Sequence, residues 1–105
     1  MIVVNEASTA TFRARFFDRD GNRDVPLTAH YRLTDLTNDR VLIDWTEMAA
    51  STQVEVVVAA SHHAIYDDGH KYQHHILTIA ANKDQASQYT DDIEYRVKNS
   101  RGFRS

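Results

Sequence analysis

Apolar and polar residues alternate with a period of two along most of this 105-residue chain. In residues 10–16 the even positions carry alanine and phenylalanine, and the odd positions carry threonine and arginine. Because successive side chains of a β-strand point to opposite faces, this pattern predicts a half-buried strand. The same alternation recurs in residues 27–34, 41–45, 53–58 and 93–98. Residues 71–80 are also expected to form a strand, although their apolar residues do not keep one parity.

Turn-forming residues separate these runs, at 18–22, 37–39, 67–69 and 82–84. Helical turns are expected only in residues 47–52 and 60–66. Six strands, or seven with residues 2–4, predict an all-β domain folded as an antiparallel two-sheet sandwich over residues 1–98. Residues 99–105 are expected to form a C-terminal extension.

Composition excludes several classes of protein. The chain contains no cysteine, so it has no disulfide scaffold, thiolate nucleophile or cysteine zinc site. It contains no apolar run long enough for a membrane span, and Asn5 and Glu6 interrupt the apolar start that a secretory signal would need. The net charge of −3 is too small to indicate a nucleic-acid or membrane partner.

Five histidines lie within fourteen residues, which raises the possibility of a zinc site. His74 and His75 are neighbours on the expected strand, so their side chains point to opposite faces and cannot share one ion. His62 and His63 lie in an expected loop, and nothing in the sequence directs them toward His70. The favoured interpretation is loop histidines in solvent with one histidine placed near the sheet, and we expect no metal.

The acidic segment from Asp18 to Asp24 has the alternate spacing of oxygen ligands in a calcium loop. Its glycine is in the wrong place, however, and the expected glutamate is replaced by Ala29. A tight turn between two strands is therefore favoured over a calcium site. The chain also has no nucleophile elbow and no phosphate-binding glycine loop, so we expect neither enzyme activity nor a cofactor.

Arginine and aromatic side chains are the features that point to a function, because they dominate protein–protein interfaces. Nine of the twelve basic residues are arginine. Those expected to contribute to an interface are Arg13, Arg15, Arg32 and Arg96 on the strands, and Arg101, Phe103 and Arg104 in the C-terminal extension. Each strand arginine is also compatible with a simple solvated face, and the extension with a frayed terminus. If the extension docks on a neighbouring subunit, it would do so by strand addition or by insertion into a pocket.

The residues from Ala10 to Asn22, the Val25-Pro26 step and the run from Tyr31 to Asp35 resemble strands B and C of immunoglobulin-like and fibronectin III-like modules. Residues 44–46, 54–56 and 93–99 extend the resemblance through strands C′, E and G. The whole chain is similar to small structural proteins of tailed-bacteriophage virions. This resemblance implies a capsid decoration protein or a neck or tail accessory protein, made in the bacterial cytoplasm. It also implies self-association and binding to major capsid, neck or tail subunits.

Two other functions remain open from the sequence. A bacterial fibronectin III-like module that binds carbohydrate or protein would present a row of exposed aromatic residues, for which Tyr66, Tyr72 and Tyr89 are available. A metal-dependent enzyme would use the histidines and would contain bound zinc.

Overall fold

The computed structural model describes residues 2–18, 20–65, 71–86 and 88–98. Within these ranges the chain forms a short 3₁₀ helix at Ala60–His63 and seven strands, which are β1 (Ile2–Asn5), β2 (Ala10–Arg15), β3 (Ala29–Asp35), β4 (Arg40–Met48), β5 (Gln53–Val58), β6 (Tyr72–Ala81) and β7 (Tyr89–Lys98). The prediction of an all-β domain is confirmed. In the described part of the chain, no helix is long and apolar enough to cross a bilayer.

The strands form a five-stranded sheet of order β1-β7-β6-β3-β4 and a two-stranded sheet of β2 and β5. The larger sheet is mixed, because β1 runs parallel to β7 with Ile2 opposite Tyr95 and Asn5 opposite Lys98. The prediction of a wholly antiparallel sandwich is therefore wrong for this pair. The turn after β1 leads to β2 in the other sheet, so no hairpin sets the direction of β1 against its neighbour.

The two sheets pack face to face through their apolar sides. Phe12 on β2 reaches the ring of Tyr95 on β7, with ring centroids 4.8 Å apart. The alternating valines of β5 (Val54, Val56 and Val58) are buried, together with Leu33 on β3 and Leu77 and Ile79 on β6. Burial of these side chains supplies the main driving force for folding, since each contributes about 1.5–3 kcal/mol.

Strand β6 is the centre of the larger sheet and pairs along its length with both β7 and β3. Its odd-numbered residues point into the sandwich, and they are Gln73, His75, Leu77, Ile79 and Ala81. Two polar residues thus occupy the inward face at the start of the strand. This explains why the apolar pattern of residues 71–80 has no single phase.

The two expected helical turns have different outcomes. The turn in residues 60–66 is confirmed as the 3₁₀ helix at Ala60–His63. The turn in residues 47–52 is wrong, because Glu47 and Met48 continue β4 and pair with His30 and Ala29 of β3. β4 has nine residues and its partner β3 has seven, and two shifts in the β3–β4 register accommodate the extra residues of β4.

Candidate functional site

The histidines separate into buried and partly exposed groups. His63 and His75 are fully buried, whereas His62 and His74 are partly exposed and His70 lies outside the described residues. As the sequence predicted, His74 and His75 lie on opposite faces of β6. The expectation of a single histidine near the sheet is corrected to two. In the described ranges, no group of three or more histidine, aspartate or glutamate side chains is placed to hold a metal ion.

The two buried histidines meet at the hydroxyl group of Tyr95. His63 Nε2 lies 2.8 Å from the Tyr95 oxygen, and His75 Nδ1 lies 3.1 Å from the same oxygen. At the outer ends, His63 Nδ1 contacts the carbonyl oxygen of Ser8, and His75 Nε2 lies 2.9 Å from Gln73 Oε1. The chain of contacts therefore runs Ser8–His63–Tyr95–His75–Gln73. We call these five residues the polar cluster.

The polar cluster connects separate parts of the fold. The backbone N–H of Ala7 also donates to the carbonyl oxygen of His63, so the turn after β1 is bonded twice to the 3₁₀ helix. Tyr95 belongs to β7, and His75 and Gln73 belong to β6. The cluster therefore attaches the β1–β2 turn and the segment after β5 to the centre of the larger sheet.

The number of protons in the polar cluster decides its charge. Four hydrogen bonds need four protons, and neutral His63, Tyr95 and His75 supply one each. Both ends of the chain are oxygen acceptors when Gln73 directs Oε1 at His75. The fourth proton then makes one imidazole cationic. Alternatively, rotation of the Gln73 amide presents its NH₂ group to His75, and all four bonds form with both histidines neutral.

Burial favours the neutral arrangement. Desolvation lowers the pKa of His75 from 6.5 to about 4, against a smaller opposing effect from the charge of Asp35. Desolvation also lowers the pKa of His63, while its bond to Ser8 acts in the opposite direction. The pKa of Tyr95 is raised by the same burial. At neutral pH both imidazoles are therefore uncharged, and the Gln73 amide donates to His75.

Asp35 is engaged by the turn that follows β3. Its carboxylate is fully buried and accepts hydrogen bonds from Thr37 N, Asn38 N and Asn38 Nδ2, with Arg40 Nη2 at 3.3 Å. These bonds hold the turn between β3 and β4 and occupy both carboxylate oxygens. The contacts of Asp35 and of His75 thus both join separate segments of the chain.

The acidic segment near Asp18 is a turn, as predicted. Asp18 Oδ1 accepts hydrogen bonds from the backbone N–H groups of Asp20 and Asn22, each at 2.9 Å. Gly21 follows with φ of 85°, a value that glycine adopts without steric cost. The Asp18 carboxylate is directed at its own backbone and forms an Asx turn.

The strand arginines lie on two different surfaces. Arg13 and Arg15 are on the outer face of the two-stranded sheet, where Arg13 Nε contacts Glu55 at 3.0 Å and Arg15 Nε contacts Gln53 at 3.2 Å. Arg32 and Arg96 alternate with buried residues of β3 and β7, so they lie on the outer face of the five-stranded sheet. The sandwich separates the two pairs. No single patch contains all four.

Arg96 contacts an aromatic ring on this outer face. Its guanidinium carbon lies 4.5 Å from the centroid of the Tyr72 ring, which is a cation–π arrangement on the outer face. Arg32 lies on the same face, opposite Thr78 of β6, which in turn is opposite Asp92 of β7. We call Arg32, Tyr72 and Arg96 the outer arginine face.

The other aromatic residues do not extend this face into a row. Tyr89 begins β7 and pairs with Ala81, whereas Tyr72 pairs with Lys98 at the far end of the same ladder. The Tyr89 ring instead packs edge-on against Phe16, with centroids 6.1 Å apart. Tyr66 lies outside the described residues, as do Arg101, Phe103 and Arg104 of the C-terminal extension.

Sequence reasoning missed the polar cluster as a unit. Gln73 and His75 share the parity of Leu77 and Ile79, and this parity was the available signal that they point inward. Nothing in the local sequence, by contrast, distinguishes His63 from His62, because their burial depends on contacts with residues far along the chain.

Comparison with family models, with curated proteins and with solved structures found no match.

Proposed function

We propose that this chain is an immunoglobulin-like, fibronectin III-like sandwich that functions without catalysis as a tailed-bacteriophage virion protein. In this proposal it is a capsid decoration protein or a neck or tail accessory protein, and it works by docking on other subunits of a symmetric assembly. Repeated copies on a symmetric particle make individually weak contacts additive.

The strand order supports the immunoglobulin-like part of the proposal. In immunoglobulin domains strands B and E share one sheet, and strands C, F and G share the other. Taking β2 as strand B and β5 as strand E, the chain pairs β2 with β5 and places β3, β6 and β7 side by side. These equivalences also agree with the sequence resemblance to strands B, C, C′, E and G. The parallel pairing of β1 with β7 is the feature that this assignment must accommodate.

The outer arginine face is the observation that carries the docking function. A guanidinium stacked on an aromatic ring is already ordered, so less side-chain entropy is lost when it binds a partner. Arginine and tyrosine are also the side chains most often responsible for affinity at interfaces. By contrast, the buried histidines are fully engaged in the polar cluster.

The proposal is tested on purified phage particles that carry this gene. Mass spectrometry of the particles is expected to find the protein in fixed stoichiometry to the major capsid or tail subunits, and electron microscopy to locate it. Arg96→Ala is expected to lower its occupancy, whereas Arg13→Ala on the opposite face serves as the matched control. Absence of the protein from purified particles would overturn the proposal. A monomer that binds glycans through Tyr72 would favour the carbohydrate-binding alternative.

A further inference from the structure

The outer faces of the two sheets differ in how their charges are paired. On the two-stranded sheet, Arg13 Nε lies 3.0 Å from Glu55 Oε2, so these opposite charges pair within one chain. On the five-stranded sheet, Arg96 Nε has no hydrogen-bond partner, and no ion pair with a described residue engages Arg96, Asp92 or Glu94. The charges of this second face are therefore available to a partner molecule.

Strand β7 presents its charges in a segregated order. Its inward residues are Ile93, Tyr95 and Val97, and the residues between them point to the outer face. In chain order the charged residues of that face are two acids followed by two bases, Asp92, Glu94, Arg96 and Lys98. If a second β7 lies antiparallel across the first, the acids of each copy meet the bases of the other. The outer face of β7 is thus complementary to itself.

Arg96 is turned away from the acid of its own chain. Its guanidinium carbon lies 4.5 Å from the centroid of the Tyr72 ring. In the β6–β7 ladder Arg96 is opposite His74, with Tyr72 on one side of this pair. Glu94, which is opposite Ile76, lies on the other side. The contact with Tyr72 therefore draws the guanidinium away from Glu94 and leaves both charges for a second copy.

Charge fixes the register of such a contact. A two-fold axis that crosses β7 over Tyr95 places Glu94 opposite Arg96 of the second copy. The same axis places Asp92 opposite Lys98 of the second copy, which is also a pair of opposite signs. Moving the axis to Glu94 or to Arg96 would set that residue against its own copy, and such like-charge contacts are unfavourable.

The rest of the face accommodates this arrangement. Sheets that pack face to face keep their strands within about 30° and lie about 10 Å apart, a gap that arginine and glutamate side chains together span. On β6 the same axis places Ile76 opposite His74, and Tyr72 opposite Thr78, so no like charges meet there. Five strands of roughly eight residues offer about 600 Å² per copy, which reaches the lower end of the area that specific interfaces bury.

We propose that two copies of this chain associate face to face through the outer surface of the five-stranded sheet, with Glu94 of each copy bonded to Arg96 of the other. The two-fold axis makes the contact isologous, so the assembly closes as a dimer. This proposal rests on the docking role of the outer arginine face in the proposed function, and it identifies the partner of that face as a second copy.

Charge composition favours a second copy over a strongly acidic or strongly basic partner. The outer face of the five-stranded sheet carries both signs, with the bases Arg32, Arg96 and Lys98 and the acids Glu47, Asp92 and Glu94. A strongly charged partner of either sign would be attracted by one set and repelled by the other. A second copy placed by the two-fold axis pairs the acids of β7 with its bases.

A mixing experiment tests the contact between Glu94 and Arg96. Arg96→Glu leaves only acids at the two positions, and Glu94→Arg leaves only bases. Each variant alone therefore sets like charges in contact, and its dissociation constant for self-association is expected to rise about tenfold in analytical ultracentrifugation. In an equimolar mixture the two variants are complementary, and we expect a heterodimer with a dissociation constant within about threefold of wild type.

Matched charge changes on the other sheet provide the control. Arg13→Glu and Glu55→Arg make the same changes on the outer face of the two-stranded sheet, where the ion pair lies within one chain. Each is expected to leave the dissociation constant within about twofold of wild type. Glu94 is exposed, so Glu94→Arg still tests the contact if Arg96→Glu loses its fold together with the Tyr72 contact.

The results separate the dimer from the proposed function. A wild-type protein that stays monomeric would overturn the dimer. So would a mixture of the folded variants that gives no heterodimer, or control variants that dissociate as readily as Arg96→Glu. If the wild-type protein is nevertheless present in virions, the virion function stands without this contact. Dimers that form through this face in a protein absent from particles would leave the contact and remove the virion function.

Discussion

The inner face of the five-stranded sheet has an apolar region and a polar region, and both belong to the same strand. Leu77 and Ile79 of β6 belong to the hydrophobic core, whereas Gln73 and His75, a few residues earlier, form hydrogen bonds in the polar cluster. All four side chains are almost completely buried. The apolar side chains have no titratable group. The polar cluster depends on the number of protons it holds, so the two regions should respond differently to pH and to the loss of single atoms.

The largest effect is expected from Leu77→Ala in the apolar region. Truncation of a fully buried leucine leaves a cavity, and we expect it to lower the free energy of unfolding by about 3–4 kcal/mol. Urea denaturation should give the same difference at pH 7 and at pH 5, because no titrating group is removed. A difference that shrinks strongly at pH 5 would show that the two regions are not independent.

Acidification is expected to affect the polar region by a similar amount. The pKa of His75 is about 4 in the folded protein and 6.5 in the unfolded chain, so the unfolded chain binds the proton first as pH falls. The free energy of unfolding is therefore highest above pH 6.5 and decreases down to about pH 4. At 1.36 kcal/mol per pKa unit, the loss attributable to His75 is about 3 kcal/mol.

Urea denaturation across this pH range checks the contribution of His75. His75→Met, which cannot bind the proton, should flatten the curve by that amount, whereas His74→Gln on the outer face should keep the wild-type slope. Because the pKa of His63 is also lowered, some acid sensitivity should remain in His75→Met. A His75→Met curve that is parallel to wild type would contradict the role given to this residue.

Removal of one oxygen atom should have an intermediate effect. Tyr95→Phe keeps the ring but leaves His63 Nε2 and His75 Nδ1 without their shared partner. We expect a loss of about 2 kcal/mol at pH 7, since each unpaired buried polar group costs about 1–3 kcal/mol. Tyr89→Phe removes a hydroxyl from a partly exposed tyrosine and should change stability by less than about 0.5 kcal/mol. Thermal denaturation of both variants measures the difference between their losses of stability.

The smallest effect is expected at the end of the cluster. Gln73→Met keeps the approximate side-chain volume and removes the partner of His75 Nε2. We expect a loss of about 1 kcal/mol at pH 7, measured by urea denaturation. Because the Gln73 amide can donate its NH₂ group to the neutral ring or accept through Oε1 from the cationic ring, this variant removes a hydrogen bond from both forms, and the bond to the charged ring is the stronger one. Nuclear magnetic resonance titration is expected to show a lower His75 pKa in this variant than in wild type; a higher value would contradict this account of the Gln73 amide.

The sequence predicts the fold best where each residue follows one pattern. β2 and β5 alternate strictly, and their phases are correct because each has one apolar and one exposed face. β6 has partners on both sides and polar residues on its inner face, so hydrophobicity alone gives it no phase. The parallel direction of β1 depends on contacts with β7, which lies about ninety residues later in the chain. Such long-range pairing leaves no local signal.

The candidate sites also divide into features that local sequence patterns predict and features that depend on long-range contacts. The opposite orientation of His74 and His75 follows directly from strand geometry, and the turn at Asp18 from its residue types. The burial of His63 requires Ser8 and Tyr95 to meet it from two other elements. The separation of Arg13 from Arg96 likewise depends on which sheet each strand joins. The sequence alone did not predict which residues from different strands and sheets come together.

The parallel pairing of β1 and β7 has a mechanical consequence. When tension is applied through the segments that precede Ile2 and follow Lys98, the two strands are pulled in opposite directions along their length. Their inter-strand hydrogen bonds are then loaded in shear and must rupture together, instead of opening one after another as in a peeled hairpin. Pulled between these two points, the domain should resist extension strongly.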